Sequence, residues 1–122
     1  MCSEPDLRIA ITRKGTAVVC SLAGDVHIDN EELVRDALAR VLDQAPALLT
    51  VDLSAVTLLT SSGLNALLTA RRRANTGGVP MVLAAPSPMA RRVLRITETD
   101  LVLPVYPSLE RAARHHRPSP TV

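Results

Sequence analysis

Three hydroxyls stand together at Thr60, Ser61 and Ser62, and Gly63 follows them directly. Upstream, Val51-Asp52-Leu53-Ser54 closes an apolar run with strand character; downstream, Leu64, Leu67 and Leu68 recur at helical spacing. A loop that hands three hydroxyls to a helix start surrounds them with free backbone N–H groups and the positive end of the helix dipole. Such a place favours an added negative charge. The chemistry it suits is acceptance of a phosphoryl group, which makes the run a candidate phosphoswitch. The same residue types also serve as plain N-caps, an effect of about 1 kcal/mol. The two roles are compatible, because Thr60 or Ser61 can cap while Ser62 faces a partner. Gly63 leaves the backbone there open to close approach.

Other side chains offer less. Asp25 and His27 precede the first helix, where each reads either as a turn residue or as a contact. His115 and His116 are adjacent rather than spaced for one helical face, and Cys2 and Cys20 lack metal-ligand spacing, so no metal site is expected. The chain has no glycine-rich phosphate loop, no His-Glu-x-x-His and no Gly-x-Ser-x-Gly. Ser62 has no histidine placed to act as its base. The expectation is a protein that is not an enzyme and carries no cofactor.

The elements that must position these hydroxyls follow from pattern. Leu7, Ile9 and Ile11 alternate with polar or small residues as in a half-buried strand, and Arg13 to Thr16 turns the chain into a returning strand from Ala17 to Leu22. Gly24 is read as breaking that ladder, with a third extended piece from Val26 to Ile28. A first helix starts at Asp29, with Glu32 completing a capping box, and presents Leu33, Val34, Ala37, Leu38, Val41 and Leu42 as one stripe. Pro46 ends it. Ala47 to Leu53 reads as a buried central strand. The hydroxyl loop and a second helix follow, closed by Arg71, Arg72 and Arg73. Val79 to Ala84 is a strand that begins late because of Pro80. Met89 to Ile96 forms a third helix, Val102 to Val105 a last strand, and Ser108 caps a fourth helix. The tail from Arg114 is expected to be frayed.

Bulk properties narrow the function. The chain has 122 residues, the expectation for one domain with a core from about residue 7 to 113. Tyr106 is the sole aromatic, so aliphatic side chains must fill the core, which suits helices layered on a sheet. A net charge of +2 and the lack of stacking aromatics argue against nucleic-acid binding. No apolar run reaches the ~20 residues of a membrane span, and the acidic start is no signal peptide. Two unpaired thiols fit a reducing compartment, so the expected location is cytoplasmic.

Four segments, in order, resemble the STAS domain in its stand-alone form, the bacterial anti-sigma factor antagonist. Gly24-Asp25-Val26-His27 is similar to that family's acidic element before the first helix. Val51-Asp52-Leu53-Ser54 with Thr60-Ser61-Ser62-Gly63-Leu64 resembles its central signature. Val82 to Pro88 with Arg92 to Thr97, and Val105 to Ala112, resemble its third helix unit and its closing strand and helix. The resemblance implies an α/β STAS-like fold, a central mixed sheet of four or five strands with four helices. It also implies a switch by partner exchange. The partner is an anti-sigma factor that is also a serine kinase of the histidine-kinase-like ATPase fold; binding it frees a sigma factor. The kinase phosphorylates the antagonist, at the position matched here by Ser62, and a serine phosphatase reverses this. The implied contact residues are Asp25, His27, Thr60, Ser61, Ser62, Gly63 and Asn65.

Three positions depart from the family pattern. Thr60 stands where an acidic residue is usual, His27 where an aspartate is usual, and Asn65 replaces a glycine. They leave room for a second reading, an unphosphorylated accessory STAS subunit of a lipid-transport or sensory complex. An exposed hairpin edge would also allow a homodimer.

Overall fold

The first two strands form the hairpin that the alternation predicts. In the computed structural model, which describes residues 7–115, β1 (Leu7–Lys14) pairs antiparallel with β2 (Ala17–Val26) across a turn at Gly15, whose φ is +63°. Gly24 does not break this ladder. It lies inside β2 with φ +115°, paired with Leu7 on one side and Val56 on the other, because glycine can hold a backbone angle that would expel other residues. The expected third extended piece is therefore the end of β2, and Ile28 belongs to the turn that follows.

The remaining strands, β3 (Leu48–Leu59), β4 (Met81–Ala84) and β5 (Val105–Tyr106), add in parallel, so the sheet order is β1-β2-β3-β4-β5. Helices α1 (Glu31–Asp43), α2 (Ser61–Gly77) and α3 (Pro88–Ile96) make the crossovers, as parallel pairing requires. Val34, Leu38, Leu64, Leu67, Ala90 and Leu94 from these helices meet Cys20, Leu22, Leu49, Val51, Leu53 and Leu83 in one aliphatic core. The seven-residue α4 (Leu109–His115) packs on the opposite face, where Ala112 and Leu109 meet Leu48, Val82, Ala84 and Tyr106.

Several boundaries differ from the sequence reading. The N-cap of α1 is Asn30 rather than Asp29, and Leu33, expected in the apolar stripe, is 55% exposed. Helix α2 runs four residues past Arg73, to Gly77, with Gly78 in the left-handed conformation as its stop. Thr99–Leu101 is a single 3₁₀ turn, which leaves β5 only two residues. Arg114 belongs to α4, which extends to His115. Cys2, His116 and the rest of the expected tail lie outside the described residues.

The largest difference is β3, which continues six residues beyond Leu53. Its register against β2 shifts twice: Ser21 and Ala23 face Asp52 and Ala55, and Gly24 and Asp25 face Val56 and Leu58. Each shift inserts one extra residue into β3, a bulge that bends and twists the strand. What was expected as a hydroxyl loop is thus the bulged end of a strand, and only Thr60 separates it from α2.

Candidate functional site

Each bulge is held by a carboxylate. Asp52 Oδ1 accepts from the Ser54 N–H (2.9 Å), and its Oδ2 accepts from the Ser21 hydroxyl (3.3 Å). Asp25 Oδ1 accepts from the hydroxyl of Thr57, the extra residue of the second bulge, at 2.5 Å. Beyond Asp52 the strand has left β4, and Ser87 replaces it: its N–H donates to the Leu53 carbonyl (3.1 Å) and its hydroxyl to the Val56 carbonyl (2.7 Å). These bonds deliver Leu59 and Thr60 to a fixed point beyond the C-terminal end of the parallel strands, the place where open α/β sheets bind their ligands.

Thr60 joins strand to helix. Its N–H and hydroxyl both donate to the Val26 carbonyl at the end of β2, at 3.1 and 3.0 Å, and its Oγ1 receives the Gly63 N–H at 3.4 Å. An aspartate could accept from Gly63 but could not donate to Val26, so threonine fits this junction in a way the usual acidic residue would not. The cap leaves the Ser61 and Ser62 N–H groups without partners among the described residues. Ser61 is exposed and Ser62 half-buried, and neither hydroxyl is hydrogen-bonded among the described residues.

Gly63 is buried. A Cβ on it would lie 2.7 Å from Val26 Cγ1 and 2.9 Å from Leu59 Cδ1. The close approach it permits is internal, bringing the first turn of α2 down onto the ends of β2 and β3. Asn65 is exposed, yet its side chain is engaged: Nδ2 donates to Glu31 Oε2 (2.8 Å), and Arg35 approaches the same oxygen at 3.4 Å. This bridge ties the first turns of α1 and α2 together.

Between β2 and α1 the turn is built around Asn30. Its Oδ1 accepts from the His27 N–H (3.0 Å) and its Nδ2 donates to the Asp25 carbonyl (2.8 Å), so its side chain braces the turn and gives α1 no cap bond. His27 Nδ1 accepts from the Asp29 N–H (3.2 Å), and the histidine is half-buried. The structure therefore gathers Asp25, His27, Thr60, Ser61, Ser62 and Asn65 at one end of the sheet. Asp25, His27 and Asn65 form supporting bonds there.

Sequence reasoning missed the apolar component of this end. Ile28, Leu33 and Leu58 are 73%, 55% and 39% exposed, and they lie in the β2–α1 turn, the first turn of α1 and the end of β3. The helical period places Leu33 in the inward stripe, and the bulges that turn Leu58 out are invisible in a hydropathy pattern. A surface of apolar side chains beside two free serine hydroxyls has the make-up of a protein contact. No base is hydrogen-bonded to either serine among the described residues. Among the described residues no group of three His, Cys, Asp or Glu could hold a metal ion, and no helix is long and apolar enough to cross a membrane.

The model of the STAS domain family matches residues 8–112, nearly all of the described chain. The chain belongs to the STAS domain family. Among solved structures, this STAS protein is similar to an anti-sigma factor antagonist from Mycobacterium paratuberculosis, with 27% identity, 95% of this chain and 99% of the other covered, and a TM-score of 0.85. A STAS domain protein from Planctomyces limnophilus, described as an anti-sigma-factor antagonist, has 21% identity, coverage of 88% and 97%, and a TM-score of 0.77. The Bacillus cell fate determinant SpoIIAA in its phosphorylated form has 19% identity, coverage of 90% and 100%, and a TM-score of 0.68. No curated protein sequence matches this STAS chain.

Proposed function

We propose that this STAS protein is an anti-sigma factor antagonist, controlled by reversible phosphorylation of Ser62. In this reading it acts as a protein ligand and kinase substrate in the cytoplasm, with no catalysis of its own. Its partner is an anti-sigma factor with serine kinase activity, and a serine phosphatase resets it. The observation that carries the reading is the end of the sheet that holds both Ser62, with a free hydroxyl at the start of α2, and the exposed Ile28, Leu33 and Leu58 of the β2–α1 turn, the start of α1 and the end of β3. The likeness to the Mycobacterium paratuberculosis antagonist supports it.

The physical mechanism needs no change of fold. A phosphate on Ser62 adds nearly two negative charges. The free Ser61 and Ser62 N–H groups and the helix dipole receive that charge at little cost. A partner surface shaped for apolar residues would have to bury it unpaired, which is costly. Phosphorylation therefore removes the partner while leaving the domain intact.

The test is affinity for the partner kinase, purified from the same organism and measured by titration calorimetry without ATP. Ser62→Ala is expected to bind as the wild type does, and Ser62→Asp at least about tenfold more weakly. Equal affinity of the two variants would remove Ser62 as the switch. Capture of transporter subunits in place of a small ATP-binding kinase would favour the accessory-subunit reading.

A further inference from the structure

The face of the sheet opposite α1, α2 and α3 is only half covered. Helix α4 lies over β3, β4 and β5, and no element among the described residues covers the same face of β1 and β2. Between α4 and that open half runs a groove of about 690 Å³, within the roughly 300–1,000 Å³ of small-molecule sites. Small residues hollow it out: Ala17 and Ala47 on the sheet side and Ala113 on α4, with Val19, Leu48 and Leu109 completing apolar walls.

Thr50 lines the groove and is only 3% exposed. Alternation along β3 puts it on the same face as Leu48, paired across the ladder with Val19. Its hydroxyl has no hydrogen-bond partner among the described residues and still reaches the groove space. The hydroxyl is open to the groove, so a ligand lying there can accept its hydrogen bond in place of water. At the rim stand Lys14, Arg114 and Glu110. Glu110 lies 3.8 Å from Arg114 in an exposed pair of little strength, and Lys14 forms no ion pair among the described residues. Two cations against one carboxylate leave the rim with one positive charge.

We propose that this groove binds a small amphipathic anion, a medium-chain carboxylate whose alkyl body lies along the apolar walls. Its headgroup accepts a hydrogen bond from the Thr50 hydroxyl and pairs with Lys14. The site lies on the other face of the sheet from α2 and stands independently of the Ser62 switch.

The experiment is amide NMR of the full-length, ¹⁵N-labelled protein titrated with sodium decanoate below its micelle concentration. The amides of Ala17, Val19, Leu48, Thr50 and Ala113 are expected to shift and saturate, and 1-decanol and sodium sulfate at equal concentration are expected to bind less tightly. Thr50→Val is expected to weaken decanoate binding about three- to tenfold through the lost hydrogen bond. Lys14→Ala, at an exposed site that leaves the core untouched, is expected to weaken it comparably. The proposal is overturned if decanoate leaves those amides unmoved, if 1-decanol or sulfate binds as tightly, or if Lys14→Ala binds as the wild type does.

Discussion

At the scale of single residues, the site depends on one missing side chain. Gly63 lets α2 begin within van der Waals reach of Val26 and Leu59, and a methyl group there would overlap the stiff, β-branched Val26. Gly63→Ala gains helix propensity but overpacks this contact, so it is expected to lower stability by about 1–2 kcal/mol. Urea unfolding checks this; a stabilised variant would show that the helix is free to lift. By contrast Ser62→Ala removes a hydroxyl that bonds to nothing in the described chain and is expected to stay within about 0.5 kcal/mol of wild type. The hydroxyl run at Thr60, Ser61 and Ser62 was legible from residue type alone, and so was Thr60 as a cap. The role of Gly63 was not, because a glycine required by internal packing and one that admits a partner look the same in a sequence. The bond of Asn65 to Glu31 was not legible either, since it joins positions 34 residues apart.

At the scale of elements, β3 decides where the hydroxyls end up. Its strand pattern is legible only to Leu53, because each bulge advances the strand by one residue and so reverses which face the next side chain takes. Ala55, Thr57 and Leu58 then fall out of the two-residue period and resemble a loop. Asp52 holds the first bulge through two hydrogen bonds. Asp52→Ala is expected to cost about 1–3 kcal/mol and to speed amide exchange from Ala55 to Thr60, while leaving β1 and the first half of β2 protected. Uniform exchange along the whole strand would show that the carboxylate does not hold the bulge. Gly24 misled the reading in the same way, since its φ of +115° is tolerated within a paired strand. The four helices and their order were legible, because each has its own apolar period. Their ends shifted where a cap or a turn depended on distant atoms, as at Asn30.

For the molecule as a whole, the aliphatic composition and the alternation of strand and helix were enough to indicate an α/β layer fold. They could not indicate that α4 crosses to the other face, since seven residues carry too little pattern to say which side they cover. Cys20 reports on the finished core. It is fully buried, and that burial pushes its thiol from 9.0 up to about 12. Between those values the folded state keeps a proton that the unfolded state releases, so stability is unaffected below pH 9 and declines above it. The expected slope is about 1.4 kcal/mol per pH unit from this one group. Urea midpoints at pH 8 and pH 10 should therefore separate more for wild type than for Cys20→Ala; equal separations would contradict the buried, protonated thiol. The proposed function stands on Ser62 as the phosphoacceptor. Its most direct test is intact mass spectrometry of wild type, Ser61→Ala and Ser62→Ala after incubation with Mg-ATP and host-cell lysate. One phosphoryl group on wild type and on Ser61→Ala, and none on Ser62→Ala, is the expected result. A phosphoryl group retained by Ser62→Ala, or none on any of the three while a control antagonist is phosphorylated in the same lysate, would contradict it.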